Sequence, residues 1–268
     1  MGRRIGMIAG SGAFPLLALE EALRRGWSCA VAGIRGEAAA ELEGRASDFA
    51  WVEAGRPAEA LCFFREKSVS DILLAGKVDA RAYFRREEQS RGAGEWLRSA
   101  ADGTPTGLIQ AFIRYLSSEG LKVLDPGPFL APFFCPAGVL SSEPPTAAVL
   151  QDAKFGWGIA RRLADLEVGQ TVIIKDRAVV AVEASEGTDA VIRRAGELAG
   201  RGTVAVKVSR SRQDLRADVP AIGLNTVRSL AQAGAAAICL EAGRVAFFQK
   251  DQALELAGRS GIIIFARE

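Results

Sequence analysis

The chain contains no histidine among its 268 residues. That absence removes Ser-His-Asp and Cys-His catalysis, HExxH zinc sites and the histidine-bearing dinuclear centres of phosphoesterases. Any metal must be held by oxygen donors, which favours Mg²⁺ or Mn²⁺, and any general base must be a carboxylate, lysine, tyrosine or cysteine. Cysteine is scarce too. Cys29, Cys62, Cys135 and Cys239 form no CxxC pair, and each lies in an apolar run. This points to buried, reduced thiols and a cytoplasmic compartment rather than to disulfides or zinc. Charge of one sign is also missing: 34 Lys and Arg stand against 32 Asp and Glu, a net +2, which gives no ground for nucleic acid as a partner. No apolar run reaches the roughly 18 residues of a membrane-spanning helix. The opening "MGRRIGMIAG" turns glycine-rich too early for a secretory signal. Contact with a membrane surface is compatible with this composition.

What is present is enough apolar material for a core, 49% of the chain, and more length than the roughly 100–200 residues usual for one domain. The first half alternates. "RIGMIAG", "SCAVAGI", "DILLAGKV" and "LKVLD" read as strands; "FPLLALEEALRRG", "EAAAELEGRA", "PAEALCFFREKS" and a stretch from about Thr106 to Glu119 read as helices. Such alternation predicts parallel βαβ units. The Pro-, Ser- and Gly-rich "CPAGVLSSEPPTAA" reads as a linker. The second half has a hairpin, "QTVIIKDRAVVAVEA", turning near Asp176, followed by a helix and the strand "TVAVKVS". A helix from about Asn225, strands at "AAICLEAG" and "RVAFFQK", a further helix and the strand "GIIIFA" complete it. The expected fold class is therefore α/β: an N-terminal Rossmann-like parallel-sheet domain over 1–136, a linker over 137–147, and a C-terminal mixed α/β (α+β) domain over 148–268. Monomer and homodimer are both compatible with this pattern.

Five stretches have residue types suited to chemistry. In "IAGSGAFP", Gly10, Ser11 and Gly12 lie between strand and helix, where backbone N–H groups can meet a phosphate; the plainer reading is a tight turn, and Pro15 breaks the full dinucleotide fingerprint. In "LLAGKVDAR", Gly76, Lys77 and Asp79 sit at a strand's carboxyl end, the edge where open sheets bind ligands. In "VVAVEASEGTDAVIRR", Glu183, Glu186 and Asp189 gather where strand passes to helix, with Thr188 placed as N-cap. Acids at a strand end can hold Mg²⁺ together with substrate phosphates. In "AVKVSRSRQDLRADVPAIG", Lys207 leaves an apolar strand and Gln213, Asp214, Arg216 and Asp218 follow. Arg suits phosphate oxygens and Asp a metal or a water, although a surface loop of ion pairs would look similar. In "DPGPFLAPFFCPAGVL", Phe129, Phe133 and Phe134 suit interdomain packing or, more sharply, a wall for an acyl chain. The mixed-charge "YFRREEQSR" reads as a solvated helix face.

The strings "GMIAGSGAFP", "LAGKV", "VGQ", "AVEASEGTD", "QDLRADVPAIG" and "ICLEAG", in this order, resemble the LpxI-type UDP-2,3-diacylglucosamine pyrophosphatases of Gram-negative bacteria, over nearly the whole chain. The resemblance implies a step of lipid A synthesis, in which UDP-2,3-diacylglucosamine and water give 2,3-diacylglucosamine 1-phosphate (lipid X) and UMP, with a divalent metal. It implies two domains with the UDP-lipid bound between them. It agrees with the missing histidines, since the unrelated LpxH-type enzyme needs a histidine-bearing metal site. Glu186, Gly187, Thr188 and Asp189 match the family's EGTD, and Gln213, Asp214, Arg216 and Asp218 its QD.R.D. "SRSR" at 209–212, Glu167 and Ala221 stand where family members often have Lys-Pro, Asp and Thr. On this basis Asp189, Asp214 and Asp218 are expected to hold Mg²⁺ (or Mn²⁺), with Glu186 among the catalytic acids and Asp218 or Asp214 orienting water. Lys207 and Arg216 would steady phosphate oxygens, Thr188 and Gln213 would contact substrate, and Gly10–Gly12, Gly76 and Lys77 would hold the nucleotide end. Two alternatives are a non-catalytic nucleotide- or lipid-binding module and a pyrophosphatase for another UDP-sugar.

Overall fold

The computed structural model of the chain describes residues 2–78 and 105–268. It divides into two compact units, one of Met1–Ala131 with Asp214–Asp218 and one of Pro132–Gln213 with Val219–Glu268.

The first unit is a parallel sheet of β1 (Arg4–Ala9), β2 (Ser28–Ile34), β3 (Asp48–Val52), β4 (Asp71–Ala75) and β5 (Lys122–Val123), in the order β3-β2-β1-β4-β5. The described helices are α1 (Phe14–Arg24), α2 (Pro57–Glu66), α3 (Pro105–Ser118) and the short α4 (Gly127–Leu130). β1 and β2 are buried almost end to end, as expected for strands covered on both faces. Phe64, Ile72 and Leu116 are wholly buried within one cluster that joins α2, the sheet and α3. Strand order reverses between β1 and β4, which makes their carboxyl ends the switch point of the sheet.

The second unit has a six-stranded sheet ordered β6-β13-β11-β9-β7-β8. Its strands are β6 (Gly138–Val139), β7 (Thr171–Lys175), β8 (Ala178–Val182), β9 (Val204–Lys207), β11 (Ala237–Glu241) and β13 (Ile263–Arg267). β9, β11 and β13 run parallel, while β6 and β7 pair antiparallel at either side of them. β10 (Ala221–Ile222) and β12 (Ala246–Phe247) form a separate parallel pair. One sheet face packs on α6 (Thr188–Ala199), α7 (Leu224–Ala233) and α8 (Lys250–Ser260) through Val191, Leu230 and Ala253. The other packs on α5 (Ala147–Asp165) through Ala153 and Ala160 against Ile174 and Val206. Both units are thus α/β, the first wholly parallel and the second mixed, as the sequence pattern implies. Among the described residues no helix is long and apolar enough to cross a membrane.

Several elements differ from the sequence expectations. The helix expected at 37–46 is a single 3-10 turn, Ala40–Leu42; ten residues with one deeply buried side chain, Leu42, do not sustain a helix. β3 follows it, an edge strand without clean alternation of burial. Part of the linker segment is built into the second sheet: β6 pairs with β13, and Leu140 and Ser141 donate to the Ile264 carbonyl. Cys62 is exposed rather than buried and its thiol donates to Glu66. Cys29, Cys135 and Cys239 are buried, and burial pushes their thiols up to about 12, 11 and 12. The stretch around Tyr83, and Asp79, lie outside the described residues.

The expected hairpin turns at Asp176–Arg177, both at positive φ (51° and 61°), the requirement of a type I′ turn. Buried Asp152 holds it from α5, accepting from the backbone N–H of Asp176 at 3.1 Å and of Arg177 at 2.7 Å. Asp152→Ala should lower stability by about 1–3 kcal/mol, because two donors lose a charged acceptor. Asp176→Asn with Arg177→Gly should raise the unfolding temperature. Thermal unfolding of both variants checks the pair of opposite shifts.

Candidate functional site

At the first unit's switch point, two of the flagged stretches meet. The Gly10 N–H donates to the Ala75 carbonyl, and Ser11 and Lys77 exchange backbone hydrogen bonds at 2.7 and 2.9 Å. The Ser11 hydroxyl adds a bond to the Lys77 carbonyl. A Cβ on Gly10 would lie 2.3 Å from that same oxygen, so glycine is required for the loops to touch. The N–H groups of Gly10 and Ser11 are therefore spent on protein. What faces outward is the Gly12 turn and the exposed Lys77 side chain.

The second unit concentrates polar groups along one edge of its sheet. Glu183 follows β8, Thr171 opens the antiparallel β7, Lys207 ends β9 and Glu241 ends β11. Lys207 is buried, its side chain 6% exposed. Its Nζ donates to Thr188 Oγ1 at 2.8 Å and Thr171 Oγ1 at 3.3 Å, and lies 3.8 Å from Glu183 Oε2. Glu183 accepts from the Thr188 hydroxyl at 2.8 Å and from the Gln170 N–H at 3.3 Å. The glycine of "VGQ" permits this closure, because a Cβ on Gly169 would fall 2.0 Å from the Glu183 carbonyl oxygen.

The three acids that gather there have separate partners. Glu183 is the buried counter-charge of Lys207. Glu186 folds back to accept from the Ala184 N–H and pairs with Arg194 at 2.5 Å. Burial pushes its carboxyl up, but Arg194 and the backbone donors outweigh that and hold it below the ordinary range. Asp189 stands in the first turn of α6 and accepts from Thr226 of α7 at 2.8 Å. Thr188 is not the N-cap expected from the sequence. Gly187, at φ 82°, takes that place, and the Thr188 hydroxyl is committed to Lys207 and Glu183.

The second acidic loop begins on firm ground. Ser209 donates through both N–H and hydroxyl to Glu241 Oε2, each at 2.7 Å, and Arg161 clamps the Ser209 carbonyl and Glu241 Oε1. Burial raises the Glu241 carboxyl and these partners outweigh it, so the net direction is down. Ser211 binds Asp165 through amide and hydroxyl, and Gln213 accepts from the Arg210 N–H. Beyond Gln213 the segment Asp214–Asp218 clusters with the first unit. There Asp214 receives Nε and Nη2 of Arg216 at 3.0 and 2.9 Å and also its backbone N–H. The side-chain bonds from Arg216 hold the Asp214 carboxyl below the usual range, burial opposing. The Asp218 N–H closes a turn on the Asp214 carbonyl.

The structure thus joins Gly10, Ser11, Gly76 and Lys77 in one place, Thr188 with Lys207 in another, and Asp214 with Arg216 in a third. Asp189 belongs to the second unit and Asp214 and Asp218 to the first. Among the described residues no group of three or more Cys, Asp or Glu is placed to hold a metal, so a dedicated protein cage is not what these residues offer. Sequence reasoning passed over Glu241, Arg161 and Asp165. The signal for Glu241 was an acid closing the apolar strand "ICLE". Arg161 and Asp165 gave none. Phe129 packs edge-on to Trp27 in the first unit, and Phe133 packs on Phe248 in the second.

Residues 4–133 match the family model described as the LpxI N-terminal domain, and residues 136–265 match that of the LpxI C-terminal domain. The chain is similar to the UDP-2,3-diacylglucosamine pyrophosphatase LpxI of Caulobacter vibrioides, with 28% identity over 273 residues, covering 98% of this chain and 96% of the relative.

Two outcomes follow from the geometry. Lys207→Met and Glu183→Gln should each lower the melting temperature, and the double variant should lose less than their sum, with a coupling of about 0.5–3 kcal/mol; additive losses in a double-mutant cycle would contradict the buried pair. Arg216→Ala should raise the Asp214 titration midpoint toward the ordinary value of about 3.9. In the parent protein the lowered midpoint means that the pair's contribution is fully present above the ordinary carboxylate range. It is lost as pH falls through the lowered value. Carbon-detected NMR titration of Asp214 reads both.

Proposed function

The chain belongs to the LpxI family, and from that premise we propose that it hydrolyses the pyrophosphate of UDP-2,3-diacylglucosamine to lipid X and UMP in lipid A synthesis. The observation that carries this reading is the Asp214–Asp218 turn. Within five residues it offers a guanidinium oriented by a carboxylate and a second carboxylate, Asp218, beside them, on a chain that resembles the Caulobacter enzyme from end to end. Phosphoryl transfer asks for positioning and charge stabilisation more than for covalent chemistry. Asp214 keeps Arg216 aimed, and Arg216 steadies the phosphate oxygens. The water-orienting role is given to Asp218, the second acid of the turn. Water attacks one phosphorus, the bridging P–O bond breaks, and the proton leaves the water toward the carboxylate. Lys207, sealed from solvent, underpins the Thr188–Asp189 turn and does not contact phosphate.

The donor set is compatible with Mg²⁺ or Mn²⁺ only in company with the substrate, because one or two carboxylates plus phosphate oxygens suffice for it. Asp214 and Asp218, with those phosphate oxygens, would hold it, and it would neutralise charge on the departing phosphate. The acyl chains bring the substrate to a bilayer, so peripheral contact with the cytoplasmic face of the inner membrane belongs to the same proposal.

Pure protein incubated with UDP-2,3-diacylglucosamine and Mg²⁺ should release UMP, and chelation should stop it. Asp218→Asn should lower kcat by about 100-fold or more. A thermal shift without UMP would instead identify a binding module, and equal turnover of UDP-GlcNAc a pyrophosphatase of different specificity.

A further inference from the structure

A cavity of the first unit has a use that the assignments above leave open. It encloses about 410 Å³ and is lined by Gln110, Ile113, Arg114, Ser117, Asp214 and Arg216, a size within the roughly 300–1,000 Å³ of small-ligand sites. The first four residues form one stripe of α3 at helical spacing. Ile113 is buried and floors the stripe, while Gln110, Arg114 and Ser117 are exposed along it. The opposite side of the helix, with Leu108, Ala111 and Leu116, is buried. Packing therefore fixes which way the polar stripe faces.

The chemistry of the lining is selective. Arg216 gives Nε and Nη2 to Asp214, and Nη1 takes no part in that pair. Among the described residues no carboxylate forms an ion pair with Arg114, whereas 14 other described arginines have one. The Ser117 hydroxyl donates back to the Ile113 carbonyl at 2.9 Å, which leaves Gln110 and the two guanidiniums as the donors of the cavity. Two guanidiniums stand against one carboxylate, Asp214, with Asp125 adding a further negative charge felt by Arg216. A concave site with two forked cations and few acceptors suits a tetrahedral oxyanion.

We propose that Arg114 is a phosphate-binding residue, which with Arg216 forms a two-guanidinium subsite for the diphosphate of a nucleotide substrate. The proposal rests on the hydrolase reading for its substrate, but not for its anion. Arg216, held by Asp214, is the fixed member, and Arg114, on a long exposed stem, is the adaptable one. No motif marks this residue, because a lone arginine on a helix face looks like any solvated charge.

The test uses inorganic pyrophosphate and UMP as probes, with uridine as the control without phosphate, measured by calorimetry on the full chain. Arg114→Ala should weaken pyrophosphate and UMP by about ten- to a hundred-fold, as expected for lost charged hydrogen bonds, and leave uridine unaffected. In steady state it should raise KM more than it lowers kcat. Arg114→Gln keeps the stem and removes the charge, so it should show the same loss even if the alanine variant folds poorly. Parent-like pyrophosphate affinity in Arg114→Gln, or no pyrophosphate binding by the parent protein at millimolar concentration, overturns the subsite. Arg114-dependent pyrophosphate binding without UMP release from the UDP-lipid keeps the subsite and discards the hydrolase reading.

Discussion

A lysine ammonium sealed at the edge of a sheet is costly unless its surroundings return what water would have given. Lys207 meets that condition with two threonine hydroxyls and one carboxylate. Each partner comes from a different place: Thr171 from the start of β7, Glu183 from the end of β8, Thr188 from the first turn of α6. Removing any of them strands a buried charge, so the knot fixes the relative position of three strand ends and one helix start. The conformation of Glu186–Asp189 follows. The loop is short, its two ends are tied, and its glycine takes a positive φ. Asp189 then points across to α7, not back to its own helix.

The first unit reaches a comparable result with backbone alone. At its switch point the loops after β1 and β4 are stitched through Ser11 and Lys77. Glycine at position 10 serves contact between protein segments, the plainer of the two readings of "GSG". The stitching still has a functional consequence. Two loops at a sheet edge are joined into one lip, with the Lys77 side chain on its outer surface.

The sequence was most legible where periodicity was strong. Four of the five parallel strands of the first unit and the hairpin at Asp176 are apolar runs bounded by breakers, and the structure has them where expected. α5 shows why the rest was harder. Its buried face is Ala153, Gly156, Ala160 and Ala164, small because a Cβ on Gly156 would already press on Ile174 and Val206 at 2.7 and 2.9 Å. A helix that packs so close presents little hydrophobic contrast. β3 fails for the opposite reason, as an edge strand only partly covered. Of the candidate site, the flagged acids and bases were legible as residue types, but their partners were not. Nothing in spacing ties Glu183 to Lys207, Ser209 to Glu241 or Asp214 to Arg216, because those pairs are set by sheet order and loop path.

The partners bear on what kind of chemistry a chain without histidine can run. Glu186 and Asp214 are each held below the ordinary carboxylate range by arginine and backbone donors. Near neutral pH such groups are ionised and weakly basic, so they are poor at taking a proton in a transition state. They are good at holding fixed negative charge and aiming cationic partners. A reaction that depends on strong general-base catalysis would be badly served by this set. Cleavage of a phosphoric anhydride is not such a reaction, because its leaving group is already stable as an anion and its barrier lies in charge and alignment. The pairing that first looks like ordinary surface electrostatics is therefore consistent with the proposed hydrolysis, since it trades basicity for preorganisation.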